Sequence, residues 1–408
     1  MEEDKRVEER LLAKGIREYK IIRTILKSLQ YREYFGKVSI EDISDDKMLV
    51  LFKTEEGIAQ FTVSSFQSDN IIDTIIETSI KNTIKMSMSL QLHCDNFSNV
   101  KIEKNENYDR FYSFSENDYI MWLNEEMDNV LKEIKLPLNT VYKVNINKYC
   151  LRTNKDYLKQ YNANSEFICI ENTKFKRQAK LSNIFLKDDI ASSIIKNLNK
   201  VEIPRNNINL NQNQSILIKA EGVSALLNVY ILMYYSNYVY SNQSFIKTNY
   251  IGKKISKSNF DLIAVPFNGI EFDSEGSKIL KKVIVDSGKL VNLLSNNSYS
   301  EYLNLDSFGN ASLDMPNTIS HQQLIFTLKN SERIAYQSID LIIYQFEYVY
   351  IDFEDNEFRG SAICSDKSGY FCTTISFNIK YIFNNIYPVD NKSTWINNVY
   401  CQDVIILR

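Results

Sequence analysis

The spacing of apolar positions changes several times along these 408 residues, and each change predicts an element. From Glu8 to Gln30, Leu11, Leu12, Ile16, Tyr19, Ile22, Ile25, Leu26 and Leu29 recur at helical intervals among alternating charges. That pattern predicts an amphipathic helix packed on a sheet. Val38–Ile40, Met48–Phe52 and Ile58–Val63 read as strands and Asp69–Met86 as a second helix, an α-β-β-β-α unit. Residues 94–108 are polar without periodicity and read as a linker. Ser115, with Asp118 three residues on, opens a helix that runs to Lys135. Leu138–Arg152 and Ser165–Lys180 follow as strands around a turn at Asn162-Ala163-Asn164-Ser165. Leu186–Leu198 reads as a helix and Pro204–Gln214 as an Asn-rich connector. The expected division is an N-terminal α+β domain (1–93), a linker (94–108), a middle α+β domain (109–207) and a β-rich C-terminal domain (208–408).

The last domain opens with a strand, Ser215–Ala220, and a helix, Glu221–Tyr235. Val283, Val285, Leu290, Leu293 and Leu294 are apolar around Asp286-Ser287-Gly288, a hairpin signal with Gly where positive φ is needed. Asn296 to Ser300 supply caps for a short helix, Ser300–Leu305, followed by Asp306 and Gly309-Asn310. The tyrosines 230, 234, 235, 238 and 240, with Phe245, recur at helical spacing and are expected in packing. Beyond Gln322 short alternating strands dominate: Leu341–Ile351, Ser361–Cys364, Tyr370–Ile379 and Val399–Leu407. The expected class is therefore α+β: α/β-sandwich-like domains first, then a large, mostly antiparallel β-rich domain.

Charge and composition narrow the function classes. Lys and Arg number 48 against 51 Asp and Glu, a net charge of −3, with no basic stripe, so no nucleic-acid footprint is present. No run approaches the roughly 20 apolar residues that cross a bilayer, and MEEDKRVEER is too charged for a signal peptide. A cytoplasmic protein with no membrane partner is expected. The six cysteines (Cys94, Cys150, Cys169, Cys364, Cys372, Cys401) form no CxxC and no pair at metal-ligand spacing. Only two histidines occur, His93 and His321.

Between Phe272 and Leu313 the parts stand in a specific order: the acidic turn Asp273–Gly276, the basic stretch Lys278–Lys282, the strand Val283–Val285, the turn Ser287-Gly288-Lys289-Leu290, the helix Tyr299–Leu303 and Phe308-Gly309-Asn310-Ala311. This order resembles the core signature of the TldD/TldE (PmbA) family. Looser matches are Gly57–Ser65 and Met315-Pro316-Asn317-Thr318. Asn162–Ser165 lacks that family's turn glycine, and Asn356–Ser361 lacks a leading one.

In the catalytic half of that family, TldD, an HExxxH helix supplies two zinc-binding imidazoles and a general base. Carried over position by position, the first His is Asn228, the Glu is Val229 and the second His is Met233. The resemblance thus implies the non-catalytic TldE/PmbA half, with no catalytic or metal-binding residue, no cofactor in this chain, and zinc in the partner. It further implies a heterodimer with a TldD-like catalytic subunit that processes unfolded or precursor peptides, leader removal from a modified peptide or bacteriocin among them. Asp273, Glu275, Gly276, Gly309 and Asn310 are its candidates for facing peptide or partner. Two other classes stay open. One is a self-sufficient cysteine-dependent hydrolase using His93-Cys94 or a Cys364/Cys372 thiol; the other is a pure interaction protein, such as a gyrase modulator.

Overall fold

Gly15, at φ +76°, stops the first helix well before the predicted end. Its N–H bonds Leu12 O at 2.9 Å and the Ile16 N–H bonds Leu11 O at 3.0 Å, a Schellman closure with Leu11 and Ile16 both buried. Helix α1 is therefore Glu3–Ala13, and the rest of the predicted helix is strand β1, Tyr19–Tyr34. Ile21, Ile22, Thr24 and Ile25 are β-branched, which favours the pleated surface. The computed structural model describes residues 3–34, 37–64, 67–83, 118, 121–122, 124–125, 128, 132, 138–171, 178–182, 215–267, 270–306, 309–313, 318–329, 339–389, 392–396 and 398–406.

The two predicted strands after the first helix are one long strand, β2 (Lys37–Lys53), paired with β1 from Lys37 to Phe52. Next come β3 (Ile58–Ser64), α2 (Asp69–Lys81), β4 (Leu138–Thr153), β5 (Tyr157–Glu171) and β6 (Gln178–Ser182). The expected turn at Asn162–Ser165 is corrected: these residues lie inside β5, opposite Val144–Asn147 of β4. The chain turns instead at Thr153–Asp156, where Thr153 Oγ1 accepts from the N–H groups of Lys155 and Asp156. All six strands form one antiparallel sheet in the order β3-β2-β1-β4-β5-β6. Strands expected in two successive domains, either side of residues 94–108, thus share one sheet.

Helices α1 and α2 cover this sheet, burying Val7, Leu11, Ile72 and Ile76 against Ile21, Val50 and Phe52. A ladder of ion pairs, Arg6–Asp69, Arg10–Asp73 and Lys14–Glu77, advances one turn at a time and sets their register. Asp4, buried in the first turn of α1, meets Arg23 of β1 at 3.2 Å and Arg152 of β4 at 2.8 Å. Described residues between 118 and 132 are helical, as expected for Ser115–Lys135. The predicted linker 94–108, the helix Leu186–Leu198, the connector Pro204–Gln214, His93-Cys94 and Met315–Asn317 lie outside the described residues.

The C-terminal half is α+β, with two mixed but mainly antiparallel sheets. It contains β7 (Ile216–Ile218), α3 (Ala220–Tyr230), β8 (Phe260–Val265), β9 (Lys282–Asp286), β10 (Lys289–Leu290), β11 (Gln323–Leu328), β12 (Leu341–Asp352), β13 (Glu357–Asp366), β14 (Gly369–Asn378), β15 (Ile386–Pro388), β16 (Thr394–Ile396), β17 (Val399–Cys401) and β18 (Val404–Ile406). One sheet runs β10-β9-β8-β11-β17-β16 and the other β14-β13-β12-β7-β18-β15. The expected strand Val399–Leu407 is divided between the two sheets as β17 and β18. α3 and the one-turn helix after it sit in their shared core with Phe260, Phe326, Phe358, Phe371 and Phe383. Tyr230 stacks on Phe383 at 3.7 Å and its hydroxyl accepts from Tyr234 at 2.6 Å, so those aromatics pack as the spacing predicted. The β9–β10 hairpin turns through Ser287 (φ +51°) and Gly288 (φ +76°), and a Cβ on Gly288 would lie 2.5 Å from Ser258 O.

Candidate functional site

Helix α3 begins where Asp403 Oδ1 accepts from Ala220 N at 2.8 Å, with Lys219 Nζ on the other carboxylate oxygen at 2.6 Å. Its register directs Asn228 toward β11 and β17, while Met233, just past its end, is fully buried in the apolar core. Asn228 and Asn398 form a reciprocal amide pair, Nδ2 of each donating to Oδ1 of the other at 3.1 and 3.0 Å. His321, distant in sequence, joins them: its Nε2 lies 3.2 Å from Asn228 Oδ1 and its Nδ1 2.7 Å from the Tyr235 hydroxyl. Asn228 Oδ1 is an acceptor, so the network assigns the proton to Nε2 and leaves Nδ1 to accept from Tyr235.

Burial depresses the His321 pKa from 6.5 to about 4, so the ring is neutral at pH 7. Protonation would need both ring nitrogens to donate, and the Tyr235 hydroxyl would have to reverse. Sequence reasoning found Asn228 but not this grouping, since Tyr235, His321 and Asn398 are contributed by three separate segments. We expect the His321 imidazole, followed by nitrogen NMR in a His93→Gln background, to be the Nε2–H tautomer at pH 7 and to titrate near pH 4. Its folded pKa lies below the unfolded one, so the stability it contributes is present above pH 6.5 and lost as pH falls toward 4. A midpoint near 6.5 would contradict the buried network.

The donor set does not suit zinc. Asn228 offers an amide oxygen already accepting hydrogen bonds, Val229 has no donor, and Met233 has a thioether locked in the core. Nor are the described thiols activated. Burial pushes Cys150 up, Cys364 well up and Cys401 up to about 12, and Cys372 is raised by burial and by Glu347.

The acidic turn, whose residues are candidates for facing peptide or partner, is buried within the chain. Asp273, Ser274, Glu275 and Ser277 are all buried, Asp273 and Glu275 at 2% and 4% exposure. Asp273 Oδ1 accepts from Glu275 N and Ser277 N, each at 2.9 Å, and its Oδ2 accepts from Ala311 N at 3.0 Å. Glu275 Oε2 accepts from Asn297 N at 2.7 Å, at the start of the helix Asn297–Leu303, which Asn296 caps through Tyr299 N. Gly276, at φ +76°, closes the turn with its N–H on Asp273 O.

The N-terminal sheet grips the same turn. Lys20 Nζ of β1 donates to Glu275 O at 2.6 Å. Gln160 of β5 accepts from Glu271 N and Phe272 N at 2.6 and 2.7 Å and donates to Phe272 O at 2.7 Å. This side chain acts as one residue of a β-ladder between the two halves of the chain. Neither Lys20 nor Gln160 carries any local signal of that role.

Gly309 and Asn310 complete the joint. Gly309 sits at φ +85°, and a Cβ there would lie 2.4 Å from Lys278 O. Asn310 Oδ1 accepts from Lys282 Nζ at 2.7 Å, whose burial lowers the amine's pKa to about 8. Asn310, Ala311, Ile279 and Gln322 line a cleft of about 10 Å³, room for a water and not for a peptide side chain. These candidates therefore shape the joint in the chain itself.

A profile of the PmbA/TldA metallopeptidase C-terminal domain matches residues 211–407. The fold is similar to that of TldE from Thermococcus kodakarensis, with a TM-score of 0.78, 12% identity and 98% of each chain covered. A candidate modulator of a DNA gyrase from Thermotoga maritima aligns with a TM-score of 0.76 at 14% identity, over 99% of this chain and 98% of the other. Another from Bacteroides thetaiotaomicron gives 0.74 at 11%, over 99% and 97%. No curated protein matches in sequence.

Proposed function

Because the chain belongs to the TldD/TldE (PmbA) family, we propose that it is the non-catalytic, TldE-like subunit of a heterodimeric metallopeptidase that processes unfolded or precursor peptides. The observation that carries this reading is the state of α3. Where the catalytic half needs an imidazole, a general base and a second imidazole, this chain has an amide tied to Asn398 and His321, a valine, and a core methionine. Hydrolysis needs a Lewis acid or an activated nucleophile. In this reading the partner supplies it, from an HExxxH helix that holds zinc, while this chain supplies the facing wall. Leader removal from a modified peptide or bacteriocin is the narrower form of the proposal, and the cytoplasm its compartment.

Co-expression with a TldD-like chain bearing HExxxH tests it. The two should co-purify, and the complex should cut an unfolded peptide only while the partner's HExxxH glutamate is intact. Chelator-sensitive cleavage by this chain alone would refute the proposal.

A further inference from the structure

Strand β2 is longer than its outer neighbour. Lys37–Phe52 pairs with β1 on one side, but on the other side β3 pairs only with Lys47–Lys53. Among the described residues no strand lies against the outer edge of 37–46, a stretch of ten residues. The segment is also at the surface: Val38 and Ile43 are 53% and 44% exposed. Such an edge is a ready template for an added strand.

We propose that this edge is a docking site for an extended polypeptide segment bearing lysine or arginine side chains. Its own side chains select the partner. Glu41, Asp42, Asp45 and Asp46 stand against Lys37 in the open stretch. Arg23 engages Asp46 in a double contact, and Arg32 meets Glu41 at 3.2 Å. Asp45 has only the neighbouring, exposed Lys47 at 3.4 Å, and Asp42 has no ion pair among the described residues. Asp42 and Asp45 point to opposite faces of the strand, so an added strand meets a carboxylate on each face, beside Val38, Ile40 and Ile43. Pairing of two copies about the middle of this segment would set Glu41 against Asp42 twice, which favours a basic partner over a second copy.

The site is on a different strand and in a different half of the chain from α3. It is tested with this chain alone, so its failure and that of the peptidase reading are separable. The probe is a fluorescent ten-residue peptide alternating lysine with valine and threonine, followed by anisotropy at low salt. The same peptide with glutamate for lysine, and one N-methylated at alternate residues, are the comparisons. We expect the lysine peptide to bind, to weaken tenfold or more on N-methylation, and to weaken tenfold or more against Asp42→Lys/Asp45→Lys, which should gain affinity for the glutamate peptide. Thermal melts check that this variant, changed at surface positions, keeps the fold; Asp42→Asn gives the same test without charge reversal. Absence of binding, or binding indifferent to both changes, overturns the proposal and leaves the carboxylates as guards against aggregation. A dimer dissociated by Ile43→Lys would overturn it too, by assigning the edge to a second copy.

Discussion

Gln160→Ala should be among the most damaging single substitutions in the chain, although it removes no apolar surface of consequence. The change removes the side-chain partner of two N–H groups and one carbonyl, at half-buried Glu271 and buried Phe272. At about 1–3 kcal/mol for each unsatisfied buried group, the expected loss is about 3–5 kcal/mol, with partial rescue if water enters. It should appear in urea unfolding as a lower midpoint. Because Gln160 joins the N-terminal sheet to the C-terminal half, hydrogen exchange at Glu271–Ser277 should rise more than exchange in β12–β14. Gln160→Glu is the informative companion: it keeps the acceptor for Glu271 and Phe272 but turns the donor facing Phe272 O into a second acceptor. Unchanged stability in Gln160→Ala would mean that the joint rests on Lys20 and the Asp273 contacts alone.

The parts of the fold legible in the sequence were those governed by short-range rules. The β9–β10 hairpin follows from Gly288, the cap of the helix Asn297–Leu303 from Asn296, and the aromatic core from the spacing of Tyr230 and Tyr234. The failure at residues 19–30 has a definite cause. Leu11 through Leu29 fit a helical period, yet Gly15 is the helix terminator and the β-branched run after it belongs to a strand buried along much of its length. Asn162–Ser165 failed for the converse reason: turn-favouring residues were held in β5 by partners on β4.

The candidate site divides similarly. α3 and the positions Asn228, Val229 and Met233 could be placed from sequence, because they occupy one contiguous segment. The His321–Asn398–Tyr235 network could not, because pairing of β11 with β17 brings it together. The acidic turn could be located from sequence, but its burial could not. Asp, Glu and Gly in a loop ordinarily signal solvent, whereas this turn folds inward and spends both carboxylates on backbone N–H groups of its own chain.

That inward fold makes the joint sensitive to pH in a direction opposite to His321. Burial pushes Asp273 up from 3.8 to about 6. Glu275, desolvated and beside the Asp273 charge, rises from 4.5 to about 7. Asp273, with three N–H donors, is the better-stabilised anion, so Glu275 is the group that keeps its proton longer. Between about pH 4 and 7 the folded chain holds protons that the unfolded chain has released, and stability contributed by this pair therefore falls as pH rises through that window. The slope is at most about 1.4 kcal/mol per pH unit for each group that titrates differently in the two states. Glu275→Gln keeps an oxygen for Asn297 N and removes the titration. Relative to the parent it should gain about 2–3 kcal/mol between pH 4.5 and pH 8, read as the difference between urea midpoints of the two proteins across that range. Taking the difference cancels the His321 contribution, which acts the other way below pH 6.5. Parallel pH profiles for variant and parent would show that Glu275 is already ionised in the folded joint at pH 5, with Lys20 offsetting its burial.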